Sequence, residues 1–117
     1  MLFVCYPKCS TCKKARKWLE ENGIAFDERD IKEKNPTRKE LVKWHKQSGL
    51  PLRKFFNTSG MLYRELQLKD KLPNMTEDEM YDLLASDGML VKRPLLIKDD
   101  AVLVGFKQGE WEEKAGE

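Results

Sequence analysis

Apolar and polar positions change their period several times along the chain, and each change marks a predicted element. The run Leu2-Phe3-Val4-Cys5-Tyr6 is rich in β-forming residues and is stopped by Pro7, which predicts a first strand. Over residues 10–22 the apolar positions recur at helical spacing until Gly23 supplies a stop signal. Residues 24–31 then predict a second strand. These elements form a β-α-β unit, whose parallel strands need a helical crossover.

The middle of the chain is divided into short helices by turn signals. Thr37 and Glu40 have the spacing of a capping box, which predicts a helix reaching about Gln47. The inward face of that helix is predicted to comprise Leu41, Val42, Trp44 and His45. Further short helices are predicted over residues 52–56, around residues 63–68, and from Thr76 to near Gly88. We expect His45, the only histidine, to be a half-buried packing residue rather than a ligand or a general base.

The last third of the chain returns to strand patterns. Residues 91–97 lead into a strand, Asp99-Asp100 predicts a turn, and residues 101–106 form the hairpin partner. A short helix over residues 110–115 follows. The predicted order is therefore β-α-β, a helical insert and β-β-α, which is the plan of a thioredoxin-like α/β fold with a mixed sheet.

Composition limits the classes of protein that the chain can represent. Its 117 residues predict one domain, residues 1–117, and 40% hydrophobic with 36% charged residues is typical of a soluble globular protein. No apolar run approaches the ~20 residues that span a bilayer, and the N-terminus lacks a secretion signal, so we expect a cytoplasmic location and no membrane partner. With 22 basic and 20 acidic residues, the net charge of +2 does not predict direct nucleic-acid binding.

Two cysteines stand where the first predicted strand gives way to the first helix. Cys9 lies just ahead of the helix and Cys12 lies in its first turn, where unpaired N–H groups and the positive dipole end favour an anionic sulfur. Lys8 follows Pro7, and Lys13 and Lys14 follow Cys12. Their positive charge also favours an anionic sulfur. The pattern predicts a reactive thiol and a redox pair.

Three other interpretations of the cysteine pair agree less well with the sequence. A zinc site needs a second Cys/His pair at ligand spacing, and only Cys5 and His45 remain, so we expect no bound metal. A structural disulfide is less common in a cytoplasmic protein, and a chance pair does not account for the strand, helix and lysines around it. Cys5 lies inside the first strand, where a cysteine is more often a small buried hydrophobe than a reactive group.

Arg93-Pro94 is the second feature that indicates chemistry. In a thioredoxin-like fold the proline before the third strand is typically cis and lies against the cysteine pair, which would direct the preceding residue toward Cys9. The Arg93 guanidinium could then stabilise a thiolate and hold an oxyanion by paired hydrogen bonds. The alternative is a solvated arginine ahead of a strand that opens with proline.

With these motifs assembled, the chain resembles the ArsC/Spx family, which comprises arsenate reductase-like proteins and Spx-type regulators of RNA polymerase. The resemblance covers residues 3 to about 111. Its most specific segments are Tyr6-Pro7-Lys8-Cys9-Ser10-Thr11-Cys12-Lys13-Lys14-Ala15, Phe55-Phe56-Asn57-Thr58-Ser59-Gly60, Lys92-Arg93-Pro94-Leu95 and Leu103-Val104-Gly105-Phe106.

The arsenate reductase branch implies a role for each matched residue. In its glutaredoxin-linked members the cysteine matching Cys9 attacks arsenate, and glutathione and glutaredoxin resolve the adduct. Arg93 matches one of the three arginines that surround the oxyanion, whereas the other two positions hold Asn57 and Gly105. Those enzymes also lack a thiol at the position of Cys12. The resemblance thus favours a general thiol reductase over an efficient arsenate reductase, since each lost donor weakens electrostatic stabilisation.

Basic residues near the unmatched positions could supply some of the missing charge. Arg53, Lys54 and Lys107 are the candidates in the sequence. A lysine ammonium cannot make the paired, coplanar hydrogen bonds by which an arginine guanidinium binds an oxyanion. The lysines would therefore replace the missing arginines only in part.

The Spx branch implies a different use of the same pair. Spx-type regulators use a Cys-x-x-Cys pair as an oxidation switch and bind the C-terminal domain of the RNA polymerase α subunit through a surface whose glycine matches Gly49. They share an arginine matching Arg93, but the chain stops soon after Trp111, without their longer C-terminal tail.

The sequence and the resemblance together give an ordered set of expectations. Cys9 is expected to be the nucleophile and Cys12 the resolving thiol, with Arg93 stabilising negative charge on a small oxyanion or disulfide substrate. The residues expected to shape the substrate site are Ser10, Thr11, Pro94 and Asn57. No bound cofactor is expected, and thioredoxin or glutathione with glutaredoxin would be the external reductant. A regulator that binds RNA polymerase is the second hypothesis, and a domain whose reactive cysteines have no dedicated function is the third.

Overall fold

The protein, described by a computed structural model over residues 1–115, contains a sheet of four strands. The strands are β1 (Leu2–Cys5), β2 (Asp27–Asp30), β3 (Leu95–Ile97) and β4 (Val102–Val104). Their order across the sheet is β2-β1-β3-β4. The β1–β2 pair is parallel, whereas the β1–β3 and β3–β4 pairs are antiparallel. The predicted thioredoxin-like mixed sheet is confirmed.

Six α-helices accompany this sheet in the part of the chain that the structure describes. They are α1 (Ser10–Glu21), α2 (Arg38–Ser48), α3 (Met61–Glu65), α4 (Leu68–Lys71), α5 (Glu77–Ser86) and α6 (Gln108–Lys114). Short 3-10 turns cover Leu52–Phe55, Leu72–Asn74 and Gly88–Leu90. Both α2 and α5 begin with complete capping boxes, formed by Thr37 with Glu40 and by Thr76 with Glu79. The reciprocal hydrogen bonds satisfy backbone donors that would otherwise be unpaired at the first turn.

The two faces of the sheet bury different sets of side chains. Because side chains alternate along a strand, Phe3 and Val4 point into opposite clusters. Phe3 packs with Leu19 of α1 and Trp111 of α6. Val4 belongs to a second cluster, which is formed largely by side chains of the helical insert. The sheet therefore holds α1 and α6 on one side and the insert on the other.

Several element boundaries differ from the sequence prediction. β2 covers only Asp27–Asp30 instead of residues 24–31, because it pairs with four residues of β1, from Leu2↔Asp27 to Cys5↔Asp30. The helix predicted around residues 63–68 is divided into α3 and α4 by Gln67, whose φ is +55°. The last helix begins at Gln108 rather than at Glu110. No helix in the described part of the chain combines the length and apolarity needed to cross a bilayer.

The loop after β4 is fixed against the segment that precedes β3. Gly105 has a φ of +75°, a conformation that favours glycine, and its N–H donates to the carbonyl oxygen of Pro94 over 2.8 Å. The indole Nε1–H of Trp111 donates to the Gly105 carbonyl over 3.1 Å. These bonds place the β4–α6 loop beside the Arg93-Pro94 segment.

Candidate thiol site

Cys9 is the N-cap residue of α1. It has extended backbone angles (φ −79°, ψ 127°), its N–H donates to the Tyr6 carbonyl over 2.9 Å, and its carbonyl accepts from Lys13 over 3.0 Å. The loop and the first turn of α1 thus fix its backbone from both sides. The N-terminus of a helix supplies free N–H donors and a positive dipole end, and the Cys9 sulfur lies at this position.

The contacts of Cys9 favour its thiolate form. Partial burial acts to raise the pKa of the Cys9 thiol, but the backbone N–H groups of Cys12 and Thr11 and the Arg93 guanidinium outweigh it. The net effect lowers the pKa of Cys9 below its ordinary value. Since the thiolate is the nucleophile, this half-buried sulfur is suited to attack an electrophile that enters from solvent.

Cys12 has the opposite character. Its side chain is fully buried, and its sulfur accepts a hydrogen bond from the Tyr6 N–H at 3.2 Å. The hydrogen bond with the Cys5 thiol, together with burial and the negative charge of Cys9, raises the pKa of Cys12. All three cysteines are free thiols. The pair therefore combines a half-buried sulfur whose pKa is lowered with a fully buried sulfur whose pKa is raised.

Arg93 is the residue before a cis peptide bond to Pro94. The cis proline expected of a thioredoxin-like fold is therefore present. The Arg93 Nη1 donates to the Met89 carbonyl over 3.5 Å, and its guanidinium also contacts the Cys9 sulfur. The buried Nε–H of Arg93 has no hydrogen-bond partner among residues 1–115. This donor of Arg93 is therefore left unused by the described part of the chain.

A cavity of about 630 Å³ opens beside Cys9 and Arg93. Its lining consists of Cys9, Thr11, Asn57, Ser59, Gly60, Met61, Leu62, Met89, Lys92, Arg93, Val104, Gly105, Phe106 and Lys107. Four of the residues that the sequence predicted for the site, Cys9, Thr11, Asn57 and Arg93, thus meet at one cavity. The volume falls in the range of small-molecule sites and exceeds what a tetrahedral oxyanion needs.

The other predicted residues lie outside the lining of this cavity. Cys12 is buried behind Cys9, and Pro94 is buried next to Arg93. Ser10 is exposed at the first position of α1. Gly49 is exposed at the C-terminal end of α2, with a φ of +70°.

The structure brings further basic residues to the site. Lys92, to which the sequence assigns no role of its own, lines the cavity beside Arg93. Of the basic residues considered as substitutes for the missing arginines, Lys107 lines the cavity. Arg53 and Lys54 line an adjoining cavity that shares Lys92 and Lys107. The signal for Lys92 in the sequence was its position immediately before Arg93.

Cys5 is buried as predicted, but its surroundings are more polar than those of a simple hydrophobe. Arg16 Nη2 lies 3.7 Å from the Cys5 sulfur, and Arg16 Nε donates to a carboxylate oxygen of Glu28 over 2.7 Å. The Cys5 thiol in turn contacts Cys12. Cys5 thus contributes to the environment of the Cys12 thiol.

His45 lies in the hydrophobic insert rather than at the thiol site. Its ring packs against Phe55 and Tyr81, and Nδ1 lies 2.5 Å from the Tyr81 hydroxyl oxygen. This is the half-buried packing position that the sequence predicted. Among residues 1–115, no group of three or more His, Cys, Asp or Glu side chains is placed to hold a metal ion.

The sheet order, the cis proline and the Cys-x-x-Cys pair at a helix N-terminus define a thioredoxin-like protein with a helical insert. Within that class, the ArsC family model matches residues 5–114. The chain belongs to the ArsC family, as the motifs in its sequence predicted.

Individual relatives span nearly the whole chain. YusI of Bacillus subtilis (strain 168), an uncharacterized protein, is 57% identical over 113 residues, covering 97% of this chain and 96% of its own. The global transcriptional regulator Spx of Staphylococcus epidermidis is 28% identical over 105 residues, covering 89% of this chain and 78% of its own. A protein named as a transcriptional regulator is therefore among the relatives of this chain.

Solved structures of similar proteins share the fold over the same extent. An ArsC family related protein from Bacteroides fragilis is 58% identical with a TM-score of 0.94, covering 96% of this chain and 94% of its own. A possible arsenate reductase from Streptococcus mutans UA159 is 48% identical with a TM-score of 0.85, covering 92% and 91%. The fold of this chain is thus the fold of arsenate reductase-like proteins.

Proposed function

We propose that the protein is a thiol–disulfide oxidoreductase in which Cys9 is the nucleophile and Cys12 resolves the intermediate. The observation that carries this proposal is the contrast between the two sulfurs. Cys9 faces a cavity and its pKa is lowered, whereas Cys12 is buried and its pKa is raised. Such a difference assigns the attack to one thiol and the resolution to the other.

The proposed cycle begins with attack of the Cys9 thiolate on a sulfur of a substrate disulfide. A mixed disulfide forms, and the other half of the substrate leaves as a thiolate, which Arg93 is placed to stabilise electrostatically. Cys12, whose thiol also contacts the Cys9 sulfur, then loses its proton and attacks Cys9. The second half of the substrate takes up the Cys12 proton and leaves as a thiol. Cys9 and Cys12 have together lost two electrons and are joined in a disulfide. Thioredoxin, or glutathione with glutaredoxin, would return the pair to the dithiol.

Arsenate is a narrower substrate within the same proposal. Arg93 supplies one guanidinium group, whose Nε–H has no hydrogen-bond partner among residues 1–115. Asn57 and Gly105 occupy the other two arginine positions of the arsenate reductase pattern. Lys92 and Lys107 bring positive charge to the cavity, but an ammonium group does not reproduce a bidentate fork. We therefore place disulfide reduction ahead of arsenate reduction.

Cysteine variants test the division of roles. Cys9→Ser should abolish the reaction with a thiol reagent at neutral pH, whereas Cys12→Ser should keep the reaction and accumulate a mixed disulfide, detected by mass spectrometry. Cys5→Ser is the comparison variant, because it keeps both Cys9 and Cys12: it should retain the reaction at Cys9, although it alters the hydrogen bond of Cys5 with Cys12. If Cys9→Ser retains the reactivity and Cys12→Ser loses it, the assignment of nucleophile and resolver is reversed.

An assay of NADPH consumption tests the electron donor and the substrate. The protein is supplied with a small disulfide or with arsenate, and the thioredoxin and glutathione/glutaredoxin systems are added separately. We expect Cys9-dependent turnover of the disulfide with one of the two systems. Absence of turnover with both systems would contradict the oxidoreductase proposal.

A redox-controlled regulator is the second candidate, and the similarity to Spx favours it. Oxidation of the same pair would change the affinity for the C-terminal domain of the RNA polymerase α subunit, and Gly49 on the exposed end of α2 would belong to the docking surface. The protein would then act in the cytoplasm. A pull-down against that domain tests this proposal, and no binding by either the reduced or the oxidised protein would exclude it.

A further inference from the structure

The cavity beside Cys9 contains positive charge without a balancing carboxylate. Lys92, Arg93 and Lys107 line it, and its lining includes no aspartate or glutamate. Among residues 1–115, none of the three cations belongs to an ion pair. Glu110 lies in the adjoining cavity with Lys92 and Lys107 but forms no ion pair with them. The charge is therefore available to a ligand, although the chain as a whole carries only +2.

The end of the Lys92 side chain lies against Gly105. A Cβ placed on Gly105 would lie 3.2 Å from Cε of Lys92, which is closer than side chains ordinarily approach. The aliphatic stem of Lys92 thus crosses the space that a side chain at position 105 would use. The N–H of Lys92 donates to the Phe55 carbonyl over 2.7 Å, which fixes the backbone from which this stem extends.

The remainder of the cavity lining is largely apolar. Met61, Leu62, Met89 and Phe106 contribute carbon surface to a volume of about 630 Å³. A ligand that fits this combination has an organic body as well as an anionic group, because apolar walls favour burial of carbon and unpaired cations favour a carboxylate.

We infer that Lys92 is a specificity-determining residue, and that the cavity selects organic disulfides carrying a carboxylate near the sulfur–sulfur bond. This inference rests on the proposed disulfide oxidoreductase function. Cys9 attacks one sulfur, the other half of the disulfide departs as a thiolate, and Cys12 then releases the first half as the Cys9–Cys12 disulfide forms. Lys92 takes no part in bond making; its ammonium attracts the carboxylate of the incoming disulfide.

Two chromogenic disulfides of different charge test the inference. The reduced protein is mixed with the dianionic 5,5′-dithiobis(2-nitrobenzoate) and with the neutral 4,4′-dithiodipyridine, and the second-order rate constant of Cys9 is measured with each. The ratio of the two rate constants is the readout. A change in the thiolate fraction of Cys9 alters both rate constants by the same factor and leaves their ratio unchanged.

Lys92→Met keeps an aliphatic stem over Gly105 and removes the charge. We expect it to reduce the ratio of anionic to neutral rate constants about fivefold, the effect of one unit charge at close range in water. Lys92→Arg should restore the ratio, and Lys39→Met, which removes an exposed lysine of α2, should leave the ratio at the wild-type value. Added salt should lower the wild-type ratio, since exposed charges are screened.

The outcomes separate the inference from the function on which it rests. An unchanged ratio in Lys92→Met, with Cys9 still reacting and a Cys9–Cys12 disulfide still forming, overturns the specificity role alone. A ratio that falls equally in Lys39→Met assigns the selection to overall charge and also overturns it. If the neutral disulfide reacts as fast with Cys9→Ser as with the wild type, both the inference and the oxidoreductase function fail.

Discussion

The guanidinium of Arg93 lies over the ring of Tyr6, with Cζ 5.1 Å from the ring centroid. The N–H of the same tyrosine donates to the Cys12 sulfur, and its carbonyl accepts from the Cys9 N–H. Tyr6 therefore connects the residue before the cis proline to both cysteines. A cation held over an aromatic face keeps its position at low entropic cost, so the charge beside Cys9 is preorganised.

Arg93→Ala should raise the pKa of Cys9, because the variant loses a contact that lowers it. At pH 7 we expect alkylation of Cys9 to slow about tenfold, since a hydrogen bond to a charged group contributes about 1.5 kcal/mol. The difference should disappear at alkaline pH, where Cys9 is ionised in both proteins. The measurement is the pH profile of the iodoacetamide rate. A profile that does not move removes Arg93 from the thiolate site, and Arg64→Ala, an exposed arginine of α3, is the control.

Replacement of Cys5 should change the titration of Cys12. The hydrogen bond with the Cys5 thiol raises the pKa of Cys12, and burial acts in the same direction. In a Cys9→Ser background, Cys5→Val should lower the pKa of Cys12, whereas Cys5→Ser keeps a hydrogen-bonding group and should lower it less. Ultraviolet absorbance of the thiolate measures both. We expect Cys5→Val to cost less than about 1.5 kcal/mol of unfolding free energy, as a swap of similar volume. A Cys12 titration identical in both variants would rule out the role of Cys5.

The ion pair between Arg29 and Glu40 should make stability depend on pH. Arg29 donates to both carboxylate oxygens, over 2.7 and 2.9 Å, and together with the Thr37 N–H it lowers the pKa of Glu40 below its ordinary value of 4.5, against the effect of burial. A carboxylate with a lowered pKa in the folded state stabilises the protein above pH 4.5, and this contribution is lost as the pH falls through the folded-state pKa.

Glu40→Gln isolates this contribution, because glutamine preserves the capping box and removes the charge. We expect the free energy of unfolding at pH 7 to fall by about 1 kcal/mol, and the difference from wild type to shrink in acid. Glu79→Gln is the matched control, since Glu79 completes the second capping box and forms no ion pair within residues 1–115. Urea denaturation at several pH values measures both variants, and equal losses in the two would contradict the role of Arg29.

Gly88→Ala should severely destabilise the protein. A Cβ at this position would overlap the carbonyl oxygen of Ile31, so the backbone after β2 would have to move. We expect a loss of about 3 kcal/mol in unfolding free energy, at the upper end of overpacking effects. Gly109→Ala is the control. A Cβ at this position of α6 would meet no atom of residues 1–115 outside that helix within 4 Å, and the substitution should raise the free energy of unfolding by about 0.5 kcal/mol. Thermal unfolding compares the two, and a Gly88→Ala protein as stable as wild type would contradict the close approach.

Local patterns predicted much of the fold. The run ending at Tyr6, the helical spacing after Ser10 and the stop at Gly23 each depend on residues close in sequence, so β1 and α1 could be assigned. The capping boxes at Thr37 and Thr76 are local hydrogen-bond patterns and were predicted for the same reason. The extent of β2 was not predictable, because it is set by the length of β1, its partner in the sheet.

The sequence by itself determined that Cys9 precedes a helix and that Cys12 lies in its first turn, since strand, proline and helix signals adjoin there. Only the tertiary structure decided which other residues surround these sulfurs and the cavity beside Cys9. Arg93 and Lys92, from the segment before β3, and Gly105, from the loop after β4, line that cavity, and Cys5 of β1 lies against the buried Cys12 thiol. Their charges and contacts act over a few ångströms, and such distances between remote parts of the chain are fixed only when the strands pair and the side chains pack.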